Sequence, residues 1–144
     1  MTIRLDHFNL KTPHIEATIR FYVEALGLTA GFYPSELPPG AWLYDESGTP
    51  VIHMQEVTPD NAEAIMAKAA AKRAALGSGP VPSGFEGSGA IDHVAFRCDG
   101  IDRCKARLDR LGITYRETGL ASATVRQIFV CDPNGILVEL NFRA

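Results

Sequence analysis

The sequence lacks a long hydrophobic run, a basic stretch and a cysteine framework, and each absence argues against a class of protein. No apolar run approaches the ~20 residues of a membrane-spanning helix. The 144 residues carry a formal net charge of −3 without a stripe of lysine and arginine, so we expect no nucleic-acid partner and no membrane partner. The three cysteines show no CxxC spacing, which favours reduced thiols in a cytoplasmic protein. The N-terminal segment enters a strand pattern at once, so we expect no signal peptide.

What the chain does contain is one pattern written twice. Residues 6–10 read DHFNL and residues 92–96 read DHVAF, each within an apolar, strand-like run. The pattern predicts a strand, a helix and three further strands in the first half, over about 3–10, 13–26, 28–33, 41–45 and 50–57. The second half predicts the same order over about 91–97, 99–111, 113–118, 124–131 and 136–142. The chain therefore reads as two copies of one β-α-β-β-β unit.

Capping residues support the two predicted helices. Thr12 and Pro13 suit a helix start and Gly27 suits its end. Asp99 is placed to cap the second helix. The spacing from His7 to His93 is 86 residues and from Gly27 to Gly112 is 85, so a gap of one residue aligns the copies.

A composition shift separates the copies. Residues 60–76 are alanine-rich and predict a helix, and residues 78–89 (SGPVPSGFEGSG) predict a flexible loop. We interpret 58–89 as a linker between a first module, 1–57, and a second module, 90–144, of one domain spanning 1–144. A second interpretation makes the loop, with its single large apolar residue Phe85, a lid over a pocket.

Two such units predict an α+β fold. Their sheets can form an open eight-stranded cup, with helices outside and a cavity within. Polar residues at equivalent places in the two copies would then approach each other across the cavity.

Four side chains at equivalent strand positions are candidate metal ligands: His7, His53, His93 and Glu139. Imidazole and carboxylate together suit divalent Fe, Mn, Ni, Co or Zn. Taken alone, each histidine is more often structural, as we interpret His14, and Glu139 could pair with Arg97 or Arg126 instead. The coincidence of three of the four histidines and a carboxylate at matched positions favours the metal site.

Strand alternation predicts the walls of a substrate pocket. Trp42 and Tyr44 would form an aromatic wall, and Asn9, Arg97 and Asn141 would point the same way as the ligands on their strands. Trp42 could equally pack in the core on the helix side, and Asn9 and Arg97 could be solvated strand ends.

The segments LDHFNL, FYVEALGL, IDHVAF, LGITY and DPNGILVELNF resemble those of the vicinal oxygen chelate superfamily, which includes glyoxalase I, fosfomycin-resistance proteins and extradiol dioxygenases. The resemblance implies metal ligation by His7, His93 and Glu139, and a homodimer with paired sites. His53 stands where relatives place a fourth ligand, usually Glu or Gln.

The resemblance implies an enzyme whose divalent metal binds a small substrate through two neighbouring oxygens. We favour a glyoxalase-type lyase or isomerase, in which His53 is a ligand and Glu139 doubles as base. One alternative is an Fe(II) extradiol-type dioxygenase, in which His53 leaves the metal to act as base and Tyr44 supplies a phenol. Another is a metal-free binding or resistance protein.

Overall fold

Two four-stranded sheets with helices form the structure, a computed structural model that describes residues 3–77, 84–120 and 124–143. Its elements are β1 (Phe8–Thr12), α1 (Ile15–Arg20), β2 (Thr29–Ala30), β3 (Gly40–Tyr44), β4 (Pro50–Glu56), α2 (Ala62–Ala75), β5 (Val94–Cys98), α3 (Ile101–Arg110), β6 (Arg116–Leu120), β7 (Val125–Cys131) and β8 (Leu137–Arg143). The α+β class and the repeated β-α-β-β-β order are confirmed.

Both sheets have the same topology, with strand orders β1-β4-β3-β2 and β5-β8-β7-β6. In each, the opening strand lies parallel to the closing strand, and the remaining pairs are antiparallel. This pairing brings a side chain at the start of the opening strand beside the middle of the closing strand. The topology therefore places His7 near His53, and His93 near Glu139.

Several strands differ from their predicted bounds, including the sixth strand, predicted over about 113–118 and found at Arg116–Leu120. β1 begins at Phe8 and β5 at Val94, so His7 and His93 lie just before their strands, while Ile3 and Leu5 are 82% and 87% exposed. β2 is only two residues long. The segment after it contains three prolines, which cannot donate to a ladder.

The helices follow their predicted positions with two corrections. α1 continues through Phe21–Ala25 as a π-helical turn before Gly27, whose φ of +81° ends it as predicted. Thr12 Oγ1 accepts the His14 N–H at 2.9 Å, which supports its capping role. The predicted cap at Asp99 is wrong, because Gly100 (φ +67°) occupies the cap position and Asp99 pairs with Arg103.

The linker is described only in part. Helix α2 lies within the predicted helix 60–76. Residues 78–83 of the predicted loop lie outside the described residues, and the Gly87 N–H donates to the Asn134 carbonyl at 2.8 Å. The lid role of Phe85 stays a prediction.

The chain divides into two compact units that do not follow the repeat boundary. The first unit contains Met1–Glu16 and Thr29–Phe85, and the second contains Ala17–Leu28 and Glu86–Ala144. The segment 17–28, which includes most of the first helix, therefore packs with the second sheet. Buried apolar side chains form the cores: Leu43, Ile52, Met54 and Val57 in the first unit, and Phe21, Tyr22, Ala25, Leu108, Ile128, Val130, Ile136, Val138, Leu140 and Phe142 in the second.

A buried polar network fixes the turn before β8. Asp132 Oδ1 accepts the N–H groups of Asn134 and Ile136 at 2.8 and 2.9 Å. Tyr22 donates its hydroxyl to Asp132 Oδ2 at 2.9 Å, and Asn134 Nδ2 donates to Thr18 Oγ1 at 2.9 Å. The network ties segment 17–28 to the turn and so sets where β8, the strand of Glu139, begins.

Two expectations from the sequence concern membrane-spanning helices and disulfides in the described part of the chain. None of the helices there has the length and apolar character that crossing a bilayer requires. Cys98, Cys104 and Cys131 are free cysteines.

Candidate metal centre

In the second unit, one face of the sheet carries the polar candidates. Register pairs Ala95 with Glu139 and Arg97 with Asn141 across β5 and β8. Phe129 lies opposite Glu139 on β7. Paired residues in a sheet share a face, so Arg97, Asn141 and Glu139 point the same way, as alternation predicts.

His93 and Glu139 form the closest pair of predicted ligands. His93 Nε2 lies 3.1 Å from Glu139 Oε2, and the other ring nitrogen, Nδ1, lies 2.8 Å from Asp92 Oδ2. Phe129 packs edge-on to the imidazole at 6.2 Å between centroids. The hydrogen bond to Asp92 raises the pKa of His93, against an opposing effect of burial, and the charge of Glu139 raises it further.

Both nitrogens of His93 therefore face carboxylate oxygens. A carboxylate only accepts, so Asp92 holds the proton on Nδ1 and leaves Nε2 directed at Glu139. Two acceptors facing each other across 3.1 Å require a positive charge between them. A proton on Nε2 meets that need, and so does a divalent cation.

Glu139 is almost fully buried, and two side-chain amides satisfy it. Glu139 Oε1 accepts from Gln127 Nε2 at 3.0 Å and from Asn141 Nδ2 at 2.5 Å. The alternative pairing with Arg126 does not occur, because Arg126 pairs with Glu117. Both amides are neutral donors, so they hold the carboxylate without bringing a positive charge to it.

In the first unit, His7 repeats the arrangement of His93. His7 Nδ1 lies 2.5 Å from Asp6 Oδ2, which leaves Nε2 as the nitrogen able to bind a metal. The repeated Asp-His doublet noticed in the sequence is therefore a pair of hydrogen-bonded Asp–His units. Sequence analysis did not assign Asp6 and Asp92 a role, although the doublet itself was the signal.

His53 lies in a stack of three aromatic rings. Its imidazole lies 3.7 Å from that of His7 with an interplanar angle of 11°, and 4.2 Å from Trp42 with an angle of 15°. Tyr33 packs edge-on to Trp42 at 6.1 Å. Trp42 is therefore on the face of the sheet that carries His53.

The state of His53 suits a ligand or a base. Burial, and then the neighbouring His7, lower the pKa of His53 below its ordinary 6.5, which favours the neutral ring. Among the described residues, its buried Nε2 has no hydrogen-bond partner. Because the lone pairs of two parallel rings run side by side and do not converge, His7 and His53 cannot both bind one ion without a ring rotating.

The remaining pocket candidates divide into two groups. Asn9 is the register partner of His53 and shares its face. Tyr44 follows a register shift in β3, and its hydroxyl donates to the Phe32 carbonyl at 2.7 Å. Tyr44 therefore closes the segment after β2, and its phenol is already engaged.

A cavity of about 670 Å³ lies in the second unit. Its walls are Thr114, Tyr115, Arg116, Thr118, Phe129, Val130, Cys131 and Leu137. Phe129 and Leu137 connect this cavity to the face that carries Glu139, since Phe129 is the register partner of Glu139. These wall residues follow no pattern that stands out in the sequence, because β6 and β7 carry no histidine or carboxylate at matched positions.

The kinds of donor atom present suit a divalent metal, but the structure brings these donors together only two at a time. Within the described residues, no group of three or more histidine, cysteine, aspartate or glutamate side chains could hold a metal ion. The predicted set is represented by His7 with His53, and by His93 with Glu139. Imidazole and carboxylate donors with Asp–His support are typical of metal centres that bind Fe, Mn, Co, Ni or Zn.

The fold and the candidate site define a class of protein. It is an α+β protein built from two β-α-β-β-β units, with matched Asp–His doublets and a buried glutamate on the faces of its sheets. The chain belongs to the Glyoxalase/Bleomycin resistance protein/Dioxygenase superfamily, whose model matches residues 4–140. The family resemblance seen in the sequence is thus confirmed. A comparison with curated proteins found no match.

Solved structures share the fold across nearly the whole chain. A glyoxalase family protein from Bacillus anthracis is 22% identical with a TM-score of 0.68, covering 100% of this chain and 98% of that one. The fosfomycin resistance protein FosX from Listeria monocytogenes is 18% identical with a TM-score of 0.64, covering 100% and 96%. An antibiotic-binding protein from a Streptomyces species is 18% identical with a TM-score of 0.63, covering 99% and 98%. At these identities the comparisons establish the fold, and they do not select a reaction.

Proposed function

We propose that the protein is a divalent-metal-dependent enzyme whose metal is held by His7, His93 and Glu139. The observation that carries the proposal is the approach of His93 Nε2 to Glu139 Oε2 at 3.1 Å, which brings an imidazole nitrogen and a carboxylate oxygen close enough to bind the same ion. The matching Asp6–His7 doublet in the first unit supplies the third ligand of a two-histidine, one-carboxylate set.

The proposed reaction is of the glyoxalase type, a lyase or isomerase step on a small substrate that chelates the metal through vicinal oxygens. A bound divalent metal would supply Lewis acidity to stabilise negative charge developing on the substrate oxygens. The protein's own part is proton transfer and positioning. Neutral His53 can accept a proton, and Glu139 is the second candidate base.

The role of His53 separates into two testable versions. As a fourth ligand it would have to rotate out of its stack with His7. As a base it can stay in the stack, held between Trp42 and His7. His53→Ala should lower metal affinity strongly in the first version, and should lower turnover at unchanged affinity in the second.

The pocket chemistry supports an apolar substrate body. Trp42 and Tyr33 offer an aromatic wall in the first unit, and Phe129 and Leu137 offer apolar surface in the second. Arg97 on the ligand-bearing face can meet an anionic group of the substrate. The substrate class we propose is therefore a small molecule with vicinal oxygens and an apolar part.

Two alternatives have observations in their favour. The stacking of His53 favours an Fe(II) dioxygenase, because the stacked ring stays off the metal and can act as the base. The hydroxyl of Tyr44 counts against the dioxygenase, because it already donates to the Phe32 carbonyl. The cavity of about 670 Å³ favours a metal-free binding protein. A metal-free binding protein has no need for two Asp–His doublets and a buried carboxylate facing an imidazole, so these features favour the metal-dependent enzyme.

Elemental analysis and paired turnover tests decide among the three. Protein purified without chelator should contain stoichiometric divalent metal, and it should act on a hemithioacetal anaerobically with a redox-inert ion. Oxygen-consuming activity on catechols that demands Fe(II) would favour the dioxygenase. Metal-free protein would favour the binding protein.

We further propose a homodimer in the cytoplasm. The apolar residues before each opening strand are exposed, with Ile3 at 82%, Leu5 at 87% and Ile91 at 60%, and a second copy can cover them. The absence of disulfides among the described cysteines supports a reducing compartment. The metal site is either completed within one chain or shared between two chains.

A mixing experiment separates these two arrangements. His7→Ala and Glu139→Ala variants are unfolded together, refolded and assayed against each variant refolded alone. In a shared arrangement, one of the two sites in each mixed dimer regains all ligands, so activity returns. A dimer without recovery would place each site within one chain, and light scattering at about 15.6 kDa would refute the dimer.

A further inference from the structure

A row of hydrogen-bonding side chains crosses three strands of the second sheet and ends on Glu139. Register aligns Thr118 on β6 with Gln127 on β7, and Gln127 with Asn141 on β8. We call Thr118, Gln127 and Asn141 the amide ladder. All three share the face of the sheet that carries Glu139.

The hydrogen bonds of the amide ladder run in one direction. Thr118 Oγ1 lies 3.2 Å from Gln127 Oε1 and can donate to it. Gln127 Nε2 then donates to Asn141 Oδ1 at 3.1 Å and to Glu139 Oε1 at 3.0 Å. Asn141 Nδ2 donates to the same Glu139 oxygen at 2.5 Å.

The acceptors fix the orientation of both amides. A carboxylate oxygen only accepts, so an Asn141 or Gln127 side chain flipped by 180° would place oxygen against oxygen at Glu139. The Thr118 hydroxyl reinforces the orientation of Gln127 from the far side, since it gives the amide oxygen a donor. Each member of the row therefore depends on the one before it.

The consequence is an asymmetric carboxylate. Oε1 of Glu139 receives two N–H groups, whereas Oε2 faces His93 Nε2 at 3.1 Å. Neutral amides hold the group in place without cancelling its charge, which an arginine would do. Burial to 9% exposure leaves little water to compete with these bonds.

We propose that the amide ladder positions Glu139 as a metal ligand that binds through Oε2 alone, with Gln127 as the principal positioning residue. The inference rests on the proposed metal site and adds Thr118 and Gln127 to it, which neither the repeat nor the strand pattern identifies. Without the amide ladder, Glu139 can rotate and offer both oxygens or neither. Loss of such support around metal ligands typically weakens metal binding by about 10- to 100-fold.

The test compares metal affinity and the visible absorption of the Co²⁺-loaded protein in five forms. Gln127→Leu should weaken Co²⁺ and Zn²⁺ binding about 10- to 100-fold and alter the Co²⁺ bands, because the carboxylate changes its mode of binding. Thr118→Val should shift both readouts in the same direction by less. Thr118→Ser, which keeps the hydroxyl, should behave as the wild type.

Arg126→Gln is the matched control, because Arg126 precedes Gln127 on β7, points to the opposite face and pairs with Glu117. Its affinity and spectrum should equal those of the wild type. If Gln127→Leu does not fold, the Thr118→Val and Thr118→Ser pair decides the question alone. Wild type that binds no metal would overturn the proposed function and the inference together. A wild type that binds metal, with Gln127→Leu or Thr118→Val indistinguishable from it in affinity and spectrum, would overturn the inference alone.

Discussion

Replacing Tyr22 with Phe should destabilise the protein more than any other Tyr→Phe change, because it removes one buried hydrogen bond and nothing else. Tyr22 is fully buried and Asp132 is 5% exposed, and the two are joined at 2.9 Å. Phe keeps the ring and its packing. The carboxylate oxygen left behind retains only Asn134 Nδ2, at 3.4 Å, among its described side-chain partners.

The magnitude follows from the charge on the acceptor. A hydrogen bond to a charged group contributes about 1.5–3 kcal/mol, against about 1 kcal/mol for a neutral pair. We expect Tyr22→Phe to lower the free energy of unfolding by that larger amount. For a chain of this size the melting temperature should fall by about 5–10 °C.

Urea unfolding followed by circular dichroism measures the change, with Tyr44→Phe as the control. Tyr44 donates to the Phe32 carbonyl from an exposed position, so its removal should cost at most about 0.5 kcal/mol. Equal midpoints for the two variants would refute the reasoning. In that case the Tyr22–Asp132 bond does not stabilise the turn before β8.

Three further predictions concern the alkaline range, the metal ligands and a tight strand position. Burial, and then Asp132, raise the pKa of Tyr22 above its ordinary 10.0, so the unfolded state releases this proton at a lower pH than the folded state. The free energy of unfolding that the wild type gains over Tyr22→Phe should therefore be full below pH 10 and should shrink above it. Unfolding curves between pH 8 and 11 measure this difference. His93→Ala and Glu139→Ala should each abolish stoichiometric metal binding, measured by elemental analysis, with a folded circular dichroism spectrum; unchanged metal in both would remove them from the site. Gly40→Ala would place its Cβ 2.0 Å from the Met54 carbonyl oxygen, so it should destabilise the protein by at least about 1–3 kcal/mol, and an unchanged melting temperature would show that β3 can move aside.

The repeat could be predicted from the sequence because it depends on local patterns. Strand alternation, helix spacing and the glycine after α1 each involve residues close in the chain, and they indicated the two β-α-β-β-β units. The matched Asp-His doublets and Glu139 stood out for the same reason. The two-residue period of a strand also predicted that Asn141 shares a face with Glu139. The register of β5 with β8 places Arg97 beside Asn141 on that face.

Contacts between distant residues could not be predicted in this way. Segment 17–28 packs in the second unit because Tyr22 finds Asp132, which lies 110 residues away. His53 stacks on Trp42 and His7 because β4 lies between β3 and β1, an order that no local pattern specifies. Asp99 is a residue type that favours the N-cap position of a helix, yet the N-cap of α3 is Gly100.

Gln127 shows the division most clearly. In the sequence it follows Arg126 in a strand that is otherwise apolar, with nothing to distinguish it from a solvated side chain. Cross-strand register places it between Thr118 and Asn141 and within 3.0 Å of Glu139. The sequence by itself determined which side chains have the chemistry of metal ligands, because that chemistry belongs to each residue type. Only the tertiary structure decided how they are held, because a hydrogen bond needs two groups that the fold has brought together.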